Sequence, residues 1–233
     1  MEATLSARHE ERQALFVQAG FSNKLTPMRF AIRTPGHRAF DENSSSLRIV
    51  KAAKQVFLRA TDAGFSMRSV AKEAGMSMGA VQHFYPTRDK LLAAMLELVV
   101  NEYETAYERV LKELPFNGTA RLLGIIDYLV LDITRPETRQ FFFALWALGS
   151  HSRFAATLME EMYSHHRRNL AAFIGAARPG LSEEQCFEAA LQVAALIDGL
   201  MLFTNPAHKH FSSRAALARM VKASVQKLLS DSA

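Results

Sequence analysis

The sequence predicts an all-α protein of about nine helices, a small N-terminal three-helix unit followed by a larger helical bundle. Three observations lead there. From Leu47 onward apolar residues recur at three- and four-residue spacing, as one face of a helix does. The periodic segments are bounded by Ser or Thr at their starts and by Gly or Pro at their ends. No stretch alternates apolar and polar residues as a half-buried strand would.

In chain order, residues 1–45 read as a flexible N-terminal extension. A short amphipathic helix fits residues 8–19 through Leu15, Phe16 and Ala19, and Asn23, Pro27, Pro35, Gly36 and the run Asn43–Ser46 interrupt the remainder of the segment. One reading makes this an upstream leader with Met28 as the true start. Another makes Arg29, Arg33, His37 and Arg38 a basic arm of the kind that enters a minor groove. Ser46 then caps a helix through Ile49, Val50, Ala53, Val56 and Phe57, which Asp62-Ala63-Gly64 ends. Ser66 caps a second helix, closed by Gly75, with Val70, Ala71 and Ala74 facing inward. Ser77 caps a third that stops at Pro86, and Thr87 a fourth from Arg88 to about Leu114, with Asp89 well placed in its first turn. Further helices fit Thr119–Ile133, 137–148 and 152–176. Ser182 with Gln185 forms a capping sequence for a helix to about Thr204, stopped by Asn205-Pro206, and the last helix covers about 212–229.

The 233 residues are 49% hydrophobic and 22% charged, which supports a real core in a soluble chain. The net charge is +5, and its location is informative. Residues 47–90 hold eight Lys/Arg against three Asp/Glu, an excess of five, whereas residues 91–233 hold fourteen against fifteen. A basic module on a near-neutral body implies a polyanion met through one face. The one cysteine, Cys186, rules out an internal disulfide and reads as a small buried hydrophobe rather than a nucleophile. No signal peptide is visible, and apolar runs broken by Asp127, Glu137 and Asp198 read as too short for a membrane span, so a cytoplasmic location is expected. No catalytic, metal or cofactor signature appears; His165 and His166 are adjacent and point apart on a helix.

Ala71, Gly75 and Val81 have helix-turn-helix spacing. Ala71 is small where the next helix crosses, Gly75 suits a left-handed turn, and Val70 and Val81 peg the pair together. With Ser66, Val70-Ala71, Ala74-Gly75-Met76-Ser77, Gly79, Val81, Tyr85-Pro86, Thr87-Arg88 and Leu91, the stretch 47–92 resembles the DNA-binding domain of TetR-family transcriptional regulators. The resemblance divides the chain into a DNA-binding domain over 46–92 and a ligand-binding and dimerisation domain over 93–233. On the DNA-facing side it implies Ser66, Arg68, Ser77, Met78, Gly79, Ala80, Gln82, His83, Thr87 and Arg88. Ser66 and Thr87 would offer hydroxyls to phosphates, Met78 and Ala80 would touch thymine methyls, and Gly79 would let the backbone come close. Arg88 would replace the family's lysine as a phosphate clamp. Gln82 stands where the family often has a phosphate-binding Tyr, and its amide can reach a phosphate or an adenine edge. Phe84 replaces a common His or Tyr and is expected to pack with Val81 rather than meet DNA.

The resemblance also implies a homodimer on a near-palindromic double-stranded operator, and an unknown small-molecule effector whose binding opposes DNA binding. The expected dimer stripe is Ala190, Val193, Ala194, Ile197 and Met201 on one helix, with Met220, Ser224 and Leu228 on the next; an internal bundle core fits the same pattern. The segment Leu196–Leu200, LIDGL, is similar to choline-responsive repressors and their relatives. An effector pocket is expected around Phe142, Trp146, Met159, Met162 and His166, with a cation able to rest on Trp146. The resulting expectation is a ligand-released repressor; an activator or a non-specific nucleoid-type binder are the alternatives, and an enzyme is not expected.

Overall fold

The computed structural model describes residues 44–59, 65–115, 117–204 and 213–231. The readings made for the leader and its basic arm, the Asp62–Gly64 exit and the Asn205-Pro206 stop lie outside these. Among the described residues there are nine α-helices and no strand. They are α1 (Ser45–Arg59), α2 (Met67–Ala74), α3 (Met78–Phe84), α4 (Arg88–Glu113), α5 (Gly118–Ile133), α6 (Pro136–His151), α7 (Arg153–Ala177), α8 (Glu183–Leu200) and α9 (Arg214–Asp231). A 3-10 turn, Met201–Phe203, finishes α8.

The caps explain most boundaries. Asn117 opens α5, its side-chain oxygen accepting from Ala120 N–H at 2.9 Å, so this helix starts ahead of the expected Thr119. Ser182 and Gln185 form a reciprocal capping box at α8. At α1 the capping oxygen is Ser44 Oγ, which accepts from Leu47 N–H at 3.1 Å. Ser46, the expected cap, has another partner: its hydroxyl shares a 2.6 Å hydrogen bond with the buried Tyr85 hydroxyl.

Contacts divide the chain into two compact units. One comprises residues 44–105 with 136–163. In it α1 packs on α2 and α6, and α2 on α3. Its interior includes Ile49, Val70, Val81, Leu91, Leu92, Met95 and Leu145, each fully enclosed. Burial of such side chains contributes roughly 1.5–3 kcal/mol apiece, ahead of the entropy of ordering them. An unbroken series of ring contacts also runs through this unit. Phe65 meets Phe57 edge-on at 5.5 Å, Phe57 meets Phe141 at 5.4 Å, Phe141 meets Phe142 at 5.5 Å, and Phe142 meets Trp146 at 6.3 Å.

The second unit comprises residues 106–135 with 164–231. Here α5, α8 and α9 pack on one another. Gly118 lets the start of α5 lie against the end of α7: a Cβ there would stand 2.0 Å from the Ala176 carbonyl oxygen. The buried Thr204 hydroxyl donates to the Ile133 and Met201 carbonyls at 3.2 and 3.1 Å, tying the end of the 3-10 turn to the end of α5. Lys222 of α9 pairs with Asp127 of α5 at 2.8 Å. Cys186 is buried, and burial with nearby Glu183 pushes its thiol pKa up, the opposite of what a nucleophile requires.

By length and composition, residues Glu183–Phe203 could cross a membrane, contrary to the expectation that every apolar run is too short. Within it Glu188 and Asp198 bracket an uncharged stretch, residues 189–197. One side of the helix, through Cys186, Ala189, Val193 and Ile197, is enclosed within the bundle, as a core helix requires.

Candidate nucleic-acid interface

The unit holding α1, α2 and α3 presents one polar helix on a firmly built base. Ser66 caps α2, its oxygen accepting from Ser69 N–H at 3.1 Å. Gly75 ends α2 at φ 62°, ψ 38°, the left-handed conformation that a β-carbon disfavours. The amides of Gly75 and Met76 turn back onto the Lys72 and Ala71 carbonyls at 3.2 and 2.9 Å, closing a tight turn. Ser77 caps α3 by accepting from Ala80 N–H at 3.1 Å. Val70, Ala71 and Val81 are buried between the two helices, as the spacing predicts.

The rest of α3 faces outward. Ser77, Met78, Gly79, Gln82 and His83 are exposed, and Ala80 is half-buried. Arg68 and Thr87 are exposed beside them, while Ser66 and Arg88 are half-buried. All ten residues expected to meet DNA thus belong to one unit, and seven of them are freely accessible. Ser77 and Thr87 spend an oxygen lone pair on capping, yet each retains a hydroxyl proton to donate to an acceptor such as phosphate, whereas the Ser66 hydroxyl also shares a 2.8 Å hydrogen bond with the Ser69 hydroxyl. Gly79 is informative in a different way. A Cβ there would meet nothing within 4 Å, and its φ lies outside the left-handed region, so nothing inside the chain demands glycine.

Two expectations change. Phe84 is 38% exposed, its ring edge-on to His83 at 5.5 Å, so it does not share Val81's buried position. The chain's inner peg at this end is Tyr85, whose hydroxyl meets Ser46; burial first, and Glu97 as well, push its pKa up, against the Ser46 hydrogen bond. Arg88 also has an internal engagement that the sequence did not announce. Its Nε–H donates to the Phe65 carbonyl at 3.2 Å, and its guanidinium lies over the Phe65 ring, 5.3 Å from the centroid.

Of the expected effector residues, Phe142 and Trp146 stand together, joined by Tyr103 at 6.5 Å from Phe142 and by Tyr163, whose hydroxyl accepts from Trp146 Nε1–H at 2.8 Å. Met162 is buried, and Met159 lies against Gly149. His166 belongs to the other unit, where Nδ1 and the Tyr107 hydroxyl lie 3.4 Å apart. Burial, then the charges of His165 and Arg167, bring its pKa down to about 4, so the ring is neutral near pH 7. Among the described residues no three His, Cys, Asp or Glu side chains gather to hold a metal.

The expected dimer stripe divides. Ala190, Val193, Ala194, Ile197 and Met201 of α8 and its 3-10 extension are at most 5% exposed within one chain, so the bundle interior takes them. Met220 and Ser224 of α9 are exposed, and Leu228 is half-buried. The outward apolar face of α8 is instead Phe187, Leu191, Ala195 and, past its end, Leu202.

Comparison with known proteins agrees with this geometry. Residues 49–95 match the tetR family of bacterial regulatory proteins, and residues 119–230 match the C-terminal region of BetI-type transcriptional repressors. The HTH-type regulator PksA of Bacillus subtilis is 27% identical over 169 residues, 71% of this chain and 80% of PksA. The HTH-type regulator BetI of Burkholderia lata is 29% identical over 156 residues, 66% of this chain and 78% of BetI. A transcriptional regulator from Pseudomonas aeruginosa PAO1 shares the fold with a TM-score of 0.69 at 21% identity, covering 82% of this chain and 93% of that one. A regulator from Saccharomonospora viridis, solved with choline, does so with a TM-score of 0.62 at 18% identity, covering 78% and 95%. With its helix-turn-helix, its helical C-terminal region and these matches, the chain belongs to the tetR family of DNA-binding transcriptional regulators.

Proposed function

We propose that this protein is a cytoplasmic homodimeric repressor that a small molecule releases from a near-palindromic operator. The observation that carries DNA reading is α3. It buries Val81 alone, exposes Gly79, Gln82 and His83, and sits in the basic segment of an otherwise near-neutral chain. That arrangement suits major-groove entry by the first turn of a recognition helix. Dimerisation is assigned to the exposed faces of α8 and α9, namely Phe187, Leu191 and Ala195 with Met220 and Ser224, because these are apolar or small and not used inside the chain. The effector site is placed at the rings of Tyr103, Phe142, Trp146 and Tyr163. Aromatic faces attract quaternary ammonium groups, and a solved regulator of this fold holds choline, so choline is the first effector to test.

The experiment is a binding titration of the purified protein against a palindromic site upstream of its own gene, over a series of salt concentrations and with random DNA as competitor. Sequence-specific binding that weakens steeply with salt, and a twofold-symmetric footprint, support the reading. Equal affinity for random DNA would place the protein among non-specific binders. Loss of the complex on adding choline identifies the effector class; persistence at saturating choline removes choline from it.

A further inference from the structure

The side chain of Arg88 is built into the domain in a way that a phosphate clamp does not need. It is the first residue of α4, immediately after the Thr87 cap. A cation there opposes the positive end of the helix dipole, so the position needs another reason for an arginine. Phe65 supplies one. Its carbonyl precedes the Ser66 cap of α2, where the intrahelical bonds begin with Val70 N–H to the Ser66 carbonyl. Arg88 Nε–H donates to that Phe65 oxygen at 3.2 Å. The same guanidinium lies over the Phe65 ring.

This contact joins the two ends of the reading motif. The chain enters α2 at Phe65-Ser66 and leaves α3 at Tyr85-Pro86-Thr87, so Arg88 fastens the exit to the entrance. Its seat is firm, because the Phe65 ring is only 8% exposed and is braced edge-on by Phe57. A lysine cannot replace this arrangement: its ammonium has no planar face to lie over a ring while an in-plane N–H donates to a carbonyl.

We propose that Arg88 is a positioning residue for DNA reading, which sets the attitude of α2 and α3 at the head of α4, and that it is not a phosphate contact. The proposal rests on the DNA-binding reading above and gives Arg88 a different role from the phosphate clamp implied by the family pattern.

The test compares full-length wild type, Arg88→Lys, Arg88→Gln and Phe65→Leu for operator affinity across a salt series, with circular dichroism and sedimentation to establish that each is folded. A positioning role predicts that Arg88→Lys and Arg88→Gln lose affinity alike, about tenfold or more. The slope of log affinity against log salt stays at the wild-type value in both. Phe65→Leu, which removes the ring but keeps the carbonyl and every charge, loses affinity in the same direction to a smaller extent, again with the wild-type slope. A phosphate clamp predicts that Arg88→Lys keeps wild-type affinity while Arg88→Gln loses it, with the slope falling by about one. That pattern overturns the proposal and leaves the DNA-binding reading intact. A wild-type protein with no sequence-specific binding overturns both.

Discussion

Two glycines in the reading motif give the same answer to one structural question and opposite answers to another. A β-carbon added at Gly75 or at Gly79 would meet nothing within 4 Å. Gly75 has φ 62°, whereas Gly79 is an ordinary residue of α3. Gly75→Ala therefore carries a left-handed penalty of about 1–2 kcal/mol. Gly79→Ala relieves a helical glycine and is expected to stabilise the fold by about 0.4–1 kcal/mol. For a chain of this length that corresponds to a rise in unfolding midpoint of roughly 1–4 °C. The DNA complex should move the other way. If glycine at 79 serves an approach of DNA to the helix backbone, a methyl group there overpacks the interface by roughly 1–3 kcal/mol, a loss of about 5- to 150-fold in operator affinity. Thermal unfolding followed by circular dichroism and operator titration by fluorescence anisotropy, on the same preparation, read the two effects separately. A more stable Gly79→Ala variant with wild-type affinity would refute the placement of this helix face against DNA. A less stable one would refute the reading of open space around residue 79.

Gly118→Ala should destabilise strongly, by about 2 kcal/mol or more, because the obstructing atom is the Ala176 backbone oxygen rather than a yielding side chain; urea denaturation measures it. Leu191→Glu places a charge in the outward face of α8 and should weaken self-association by at least roughly 100-fold while the chain stays helical, seen by sedimentation; an unchanged dimer would move the interface elsewhere. The His166 pKa is lowered from 6.5 to about 4 on folding, so the unfolded chain binds the extra proton between those values. Stability is then fully present above about pH 6.5 and falls with pH toward 4, by at most about 1.4 kcal/mol per pH unit from this group. His166→Gln should flatten that part of a stability-against-pH curve measured by urea titration.

The helices and the reading motif were legible in the sequence because each rests on local chemistry. Ser66, Ser77, Thr87 and Ser182 cap where their position before a periodic run says they should, and Gly75 turns where a left-handed residue is required. What sequence could not separate were the two sides of an apolar helix. Ala190, Val193 and Ile197 form a stripe at helical spacing, and that spacing is equally suited to a partner chain or to the helix's own bundle; only the path of α5 and α9 places it inside. Long-range partners were equally hidden. Nothing near Ser46 announces that Tyr85, 39 residues away, takes its hydroxyl and leaves the capping to Ser44. Nothing near Arg88 announces Phe65. A ring that cannot donate a hydrogen bond to DNA reads as a packed one, but the turn of α3 between Val81 and Tyr85 leaves Phe84 38% exposed.

Trp146 is the chain's single tryptophan, and it stands at one end of the ring series whose other end lies under Arg88. Its indole N–H is held by the Tyr163 hydroxyl, and its ring by Phe142 and Phe143. Indole emission depends on the polarity and hydrogen bonding around the ring, so this placement makes the protein its own optical gauge. Light taken up by the indole samples the neighbourhood proposed for the effector, in the same unit that carries the reading helix. No dye is required, and there is no second tryptophan whose signal must be subtracted.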